Sequence, residues 1–284
     1  MDAKTFTDRV LKQYQQFDDP RAQAITESLI KHLHGFIADT QLTNQEWEMM
    51  WEALMDAAKF SAKTNRNEFL LFADVLGISQ LVEVANSHRP NNAVGSALVG
   101  PYYRANAPMR KLGDAIMSDD TEGERVNIRG TVRDSKGQGL AGAKLDVWQA
   151  ATNGLYDIQD PKQPRMNLRG RFIADENGEY HFTALIPTPY PVPTDGPVGV
   201  FLAAANRQVY RPAHIHFIVT APEHETLVTQ VFSEGDPLIE QDVVFTADKN
   251  MIGDFKRNGD HYELQYDFEL LDGESIYPEA PIKD

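Results

Sequence analysis

The 284-residue sequence contains no cysteine. Disulfides, thiolate-ligated metals and a cysteine nucleophile are therefore excluded, and a reducing compartment is compatible. Basic residues are scarce: 27 Lys and Arg stand against 42 Asp and Glu, a formal net charge of -15 at pH 7. Nucleic acid and anionic membrane both need a basic face, so neither is expected as a main partner. The acidic residues are spread along the chain rather than gathered into a tail, which reads as a solvated surface. No stretch approaches the roughly eighteen apolar residues of a membrane span, so the chain is not expected to be membrane-embedded. Met1-Asp2-Ala3-Lys4-Thr5-Phe6 lacks the apolar run of a secretory signal, and the expected location is cytoplasmic.

The first part of the chain has helical periodicity from residue 5 to about 90. Phe6, Val10, Leu11 and Tyr14 recur at helical spacing, and Asp18-Asp19-Pro20 offers a cap and an N1 proline to a helix carrying Ile25, Leu29, Ile30, Leu33 and Ile37. Thr43-Asn44-Gln45-Glu46 fits a capping box, followed by Trp47, Met50, Trp51, Leu54 and Met55 on one face. Asn67 to Gly77 reads as a short helix stopped by glycine. Pro90-Asn91-Asn92 and Gly95-Ser96 then mark a linker.

From about residue 125 the period falls to two. Val126, Ile128 and Val132 alternate, a polar turn follows at 134–139, and Leu145 and Val147 alternate again. Residues 171–182 read as a hairpin with Asn177-Gly178 in its turn. Strands are also expected at 217–219, 226–232 and 262–270. The expected fold class is α+β: a helical N-terminal region, 1–97, followed by an antiparallel β-sandwich, 98–284.

The chemistry-bearing stretch is Arg211-Pro212-Ala213-His214-Ile215-His216-Phe217-Ile218-Val219. On a strand, His214 and His216 share a face while Ile215 points the other way. Two imidazoles side by side suit a metal, although an H-x-H pair is ordinarily just two half-buried histidines. Upstream, Val147 to Asp157 leads a strand into a loop presenting Tyr156. Pro187-Thr188-Pro189-Tyr190-Pro191-Val192-Pro193 stiffens a loop around Tyr190. Either tyrosine alone is ordinarily a packed loop aromatic.

Together these stretches, with Gly100-Pro101-Tyr102-Tyr103, Thr229-Gln230 and Glu234-Gly235-Asp236, resemble the intradiol ring-cleaving dioxygenases of the catechol 1,2-dioxygenase type. The resemblance implies one non-haem Fe(III) per subunit, held by Tyr156, Tyr190, His214 and His216. Hard ferric iron favours such phenolate donors. It implies a small aromatic diol or triol and O2 as substrates, with Tyr190 released to act as a base. Arg211 would stabilise charge on the ring, and Gln230 would sit near the O2 side.

The pocket positions implied are Leu71, Asp74, Val99, Gly100, Pro101, Tyr102, Val192, Pro193, Arg211 and Val244. The proline loop and Phe232-Ser233-Glu234-Gly235-Asp236 are most similar to hydroxyquinol 1,2-dioxygenases, which form 3-hydroxy-cis,cis-muconate or maleylacetate. Asp74 could accept a hydrogen bond from a third ring hydroxyl, while Tyr102 departs from the phenylalanine expected there. Catechol or a substituted catechol is the alternative substrate. A homodimer joined through the N-terminal helices, with an apolar tunnel for a phospholipid, is also implied. Two other readings stand beside this one: a non-catalytic β-sandwich binding module, and a zinc hydrolase using the histidine pair.

Overall fold

The computed structural model describes residues 2–64, 66–90 and 93–282; Asn91 and Asn92 of the expected linker lie outside the described residues. The chain divides into two compact units, Met1–Asn65 and Arg66–Asp284.

The first unit comprises α1 (Ala3–Leu11), α2 (Pro20–Thr40) and α3 (Asn44–Thr64). Its helix starts follow the local chemistry. Asp19 accepts the N–H of Arg21 at 2.8 Å ahead of Pro20. Glu46 accepts the N–H of Thr43 at 2.8 Å, while Thr43 Oγ1 accepts that of Glu46 at 3.3 Å. Among the described residues of this unit only Ala57 is buried, and Ile25, Leu29, Leu33, Trp51 and Met55 are each more than half exposed.

The second unit begins with α4 (Glu68–Val75) and α5 (Ile78–Asn86), followed by β1 (Arg125–Asp134), β2 (Lys144–Trp148), β3 (Arg169–Ile173), β4 (Glu179–Leu185) and β5 (Tyr190–Pro191). After these come α6 (Pro197–Ala204), β6 (Tyr210–Arg211), β7 (His214–Thr220), β8 (Leu227–Ser233), β9 (Ile252–Gly253), β10 (Lys256–Asn258), β11 (His261–Gln265) and β12 (Phe268–Leu270). One sheet runs β10-β11-β1-β12 with β4 also on β1, the other runs β3-β2-β7-β8-β9, and β5 with β6 makes a two-stranded ribbon. The sheets are antiparallel-rich but mixed. β1 pairs in parallel with both β11 and β12, and β8 with β9. Ile128, Val132 and Phe182 of the first sheet meet Leu145, Val147, Phe172, Ile215, Phe217 and Val219 of the second in one core.

Three expectations change here. Residues 171–182 are not a hairpin: β3 pairs with β2, whereas β4 pairs with β1. The Asp175–Gly178 turn does form, with Gly178 N–H donating to Asp175 O at 3.1 Å. Beyond it the strands part to opposite sheets, because Phe172 and Phe182 both belong in the core, where their rings stack at 4.8 Å. Helix α6 was not expected; its start matches Pro197 at its first positions after Gly196.

The strand expected at 262–270 breaks at Tyr266-Asp267, where Asp267 Oδ1 takes the N–H of Thr131 at 2.9 Å. Tyr266 O lies so close to Gly130 that a Cβ there would sit 1.7 Å from it. Tyr180 donates its hydroxyl to the same carbonyl at 2.7 Å. Only glycine lets β1 pass this crossover. Gly130→Ala is therefore expected to lower the unfolding free energy by about 3 kcal/mol or more, measured by urea denaturation.

Candidate metal centre and pocket

β7 is buried on both faces. Ile215, Phe217 and Val219 enter the sandwich core, so His214 and His216 are carried to the opposite side of the sheet. There β2 contributes Trp148, the register partner of His216, and their rings stack at 4.6 Å and 11°. β8 places Gln230 opposite His216 on its other side.

Tyr156 comes from the loop after β2. The neighbouring Asp157 anchors that loop, accepting from Arg104 at 2.8 Å, from Arg169 at 2.8 Å and from the N–H of Met166 at 2.9 Å. Tyr190 comes from the proline loop, where the short β5–β6 ladder sets it opposite Arg211.

These four side chains converge. Tyr156 Oη lies 2.9 Å from His216 Nε2 and 3.1 Å from Tyr190 Oη. Tyr190 Oη is 3.4 Å from His214 Nε2, which is 3.1 Å from His216 Nε2. Their exposures run from 1% to 7%. The distance from His214 Nδ1 to Pro212 O is 2.7 Å, so Nδ1 carries the proton and the Nε2 lone pair turns inward. Burial and the Arg211 cation hold the His214 imidazole down to about 3. Burial, with His214 and Arg211 adding to it, holds His216 well below the ordinary histidine range. Burial also pushes the Tyr156 phenol up, so a phenolate there calls for a strong local cation.

The donor set fits a metal. Two neutral imidazole nitrogens and two phenol oxygens lie about 3 Å apart, as ligand bonds of about 2.0–2.1 Å at tetrahedral or square angles require. Among the described residues no group of three or more His, Cys, Asp or Glu is arranged to hold a metal ion. A metal here depends on the phenols.

Arg211 is buried beside the cluster, with Nη1 3.2 Å from His214 Nε2. Its Nε and Nη2 donate to Asp242 at 3.2 and 3.0 Å, and Nη2 also donates to Gln230 Oε1 at 2.8 Å. Gln230 Nε2 donates to Leu98 O at 3.1 Å, so both ends of this amide are engaged. Asp242 also accepts the N–H groups of Val244, Thr246 and Ala247. Burial opposes its charge, but Arg211 holds its carboxyl below the usual range.

Sequence reading missed Asp242. A buried arginine demands a carboxylate, yet nothing in the chain marks one 31 residues away as its partner.

The pocket above the cluster is lined by Leu71 and Asp74 of α4, by Leu98, Gly100, Pro101 and Tyr102, by Val192 and Pro193, and by Val244, with Trp148, Tyr190, Arg211, His216 and Gln230 at its base. Val99, expected in this lining, packs instead on the aromatic cluster of Tyr103, Trp148, Tyr156 and Tyr190. Leu98 lines the pocket. Asp74 is half-buried, and burial pushes its carboxyl up against the opposing pull of Ser79 and Arg211. Tyr102 stacks on Tyr156 at 4.7 Å and accepts from Gln159 Nε2 at 2.8 Å. Burial pushes its phenol up to about 12.

Two family models match the chain. The catechol dioxygenase N-terminus model matches residues 19–94, and the dioxygenase model matches 98–273. The chain belongs to the intradiol ring-cleavage dioxygenases. It is 39% identical over 257 residues to a hydroxyquinol 1,2-dioxygenase of Rhizobium sp., covering 90% of this chain and 86% of that protein. It is 34% identical over 287 residues to a catechol 1,2-dioxygenase of Candida albicans, covering 96% and 94%. The solved hydroxyquinol 1,2-dioxygenase of Pseudomonas putida superposes with a TM-score of 0.90 at 34% identity, covering 95% of this chain and 98% of that one.

Intradiol dioxygenases are generally non-haem iron enzymes, and the four-donor cluster is compatible with that dependence. In this intradiol dioxygenase Arg211 and Asp242 form a buried ion pair beside the four-donor cluster. Asp242→Asn leaves the guanidinium buried without its counter-charge and is expected to cost about 3–5 kcal/mol in urea unfolding. Combining Asp242→Leu with Arg211→Met should cost less than the two single changes added together.

Proposed function

We propose that this chain cleaves hydroxyquinol (1,2,4-trihydroxybenzene) between its adjacent hydroxylated carbons. Both atoms of O2 enter the product, 3-hydroxy-cis,cis-muconate or its keto form maleylacetate. Tyr156, Tyr190, His214 and His216 would hold one Fe(III) per subunit. The observation that carries this is the convergence of two phenols and two neutral imidazoles at 2.9–3.4 Å, all buried. When bound, ferric iron would supply a Lewis-acidic centre able to draw electron density from a diol's ring.

The protein's own groups do the rest. Tyr190 lines the pocket, whereas Tyr156 is 1% exposed behind it. Tyr190 Oη is therefore placed to take a diol proton. Arg211, locked by Asp242 and Gln230, presents a fixed guanidinium to charge that develops on the ring. Gln230 acts through Arg211, since its amide is engaged at both ends. Leu71, Val192, Pro193 and Val244 form apolar walls that exclude water from the reacting ring.

Hydroxyquinol is preferred on two grounds. Several similar proteins carry that activity in their names, at 37–39% identity. Asp74, lining the pocket, offers an acceptor for the third hydroxyl. Catechol or a substituted catechol is the second reading, favoured by Tyr102 where phenylalanine is expected. A non-catalytic binding module has no need for four buried donors, and a zinc hydrolase lacks its carboxylate ligand among the described residues.

The proposal extends to a homodimer joined through the N-terminal helices, with a phospholipid held in an apolar tunnel. It also keeps the division at 97/98 and a cytoplasmic location. No helix among the described residues is long and apolar enough to cross a membrane.

The test is oxygen uptake with hydroxyquinol and with catechol, on the wild type and on Asp74→Ala. Hydroxyquinol should turn over faster on the wild type. Asp74→Ala should lower its kcat/KM about 100-fold while changing that for catechol only a few-fold. Equal losses for both diols would assign Asp74 no part in discrimination.

A further inference from the structure

Glu68, which opens α4, is the most deeply buried acid among the described residues, at 0% exposed against 3% for Asp242. The chemistry above gives it no role. Its Oε2 accepts the N–H of Val198 at 3.2 Å. Val198 is the second residue of α6, and Gly196 brings no side-chain cap to that helix. A carboxylate from one helix thus serves the positive end of another. Its Oε1 accepts Arg66 Nε at 2.8 Å, and Arg66 Nη2 continues to Asp195 at 2.8 Å.

One of the two elements joined in this way, α4, lines the pocket, and the other, α6, follows a loop that lines it. α4 carries Leu71 and Asp74 one and two turns beyond Glu68, and Val192 and Pro193 lie just ahead of Asp195. Between them is a small cluster separate from the sandwich core, formed by Val75, Val192, Val198, Leu202, Val243 and Val244. Burying a carboxylate there costs more than an apolar side chain of similar volume would, so its contribution is geometric rather than stabilising.

We propose that Glu68 is a positioning residue for the diol pocket. By tying α4 to the start of α6, it sets the gap between Asp74 and the Val192–Pro193 loop, and with it the grip on the aromatic ring. The inference rests on the function proposed above and adds to it a residue outside the pocket lining.

The experiment is an anaerobic titration of the iron-loaded protein with hydroxyquinol, followed through the visible tyrosinate-to-iron band. Glu68→Ala is expected to weaken binding about tenfold while leaving the resting band in place, because His214 and His216 stand on β7, Tyr156 on the loop after β2, and Tyr190 is pinned by the β5–β6 ladder opposite Arg211, ahead of the Val192–Pro193 wall that shifts. Glu68→Gln keeps an acceptor for Val198 and should recover most of the loss.

If Glu68→Ala does not fold, Asp195→Asn serves instead. Its side chain is 69% exposed, and the loss expected is about twofold, as suits a screened pair. Wild-type affinity in a folded Glu68→Ala protein, or in Asp195→Asn where that protein does not fold, overturns the inference alone. A resting band displaced in Glu68→Ala also overturns it, by showing damage that reaches the ligands. An iron-loaded wild type without any band overturns the proposed function instead.

Discussion

The site depends on one strand being buried on both faces. β7 has to supply Ile215, Phe217 and Val219 to the sandwich core, and the pleat then commits His214 and His216 to the opposite side. A slip of one residue would put imidazoles into the core and apolar side chains into the site, so the core that stabilises the fold also fixes which face carries the histidines. The neighbouring strands inherit this alignment. Across one register line lie Arg169, Trp148, His216 and Gln230, from β3, β2, β7 and β8 in turn.

Charge in the site is arranged just as strictly. Arg211 and Asp242 are a buried pair in which each partner makes the other tolerable, and three backbone N–H groups complete the carboxylate. The same guanidinium helps keep His214 neutral, which a ligand nitrogen requires. Protons are thus excluded from the histidines by burial and by a fixed cation. On the proposed ferric site, the phenols would be the groups left to ionise.

Much of this was legible in residue order, because it rests on local rules. Alternation in 214–219 put the two histidines on one face, and the capping residues Asp19, Thr43 and Glu46 marked the helix starts. The prolines flanking Tyr190 marked a stiff loop. What escaped depends on distant partners. Asp242 is meaningful only beside Arg211. The turn at Asp175–Gly178 reads as a hairpin until the core claims Phe172 and Phe182 from opposite sheets. β11 and β12 run parallel to β1, a pairing that short-range periodicity cannot reveal. Leu98 lines the pocket where Val99 was expected, because a lining depends on which way a loop residue turns, and no period governs a loop.

The central claim is that two tyrosines and two histidines make one ferric site. Its most direct test is the iron content and visible spectrum of the purified protein beside its Tyr156→Phe and Tyr190→Phe variants. One iron per subunit with a tyrosinate charge-transfer band, shifted or weakened by each single change and abolished by both together, is the predicted result. A protein that takes up iron yet shows no such band, or a band that survives in the double variant, would contradict it.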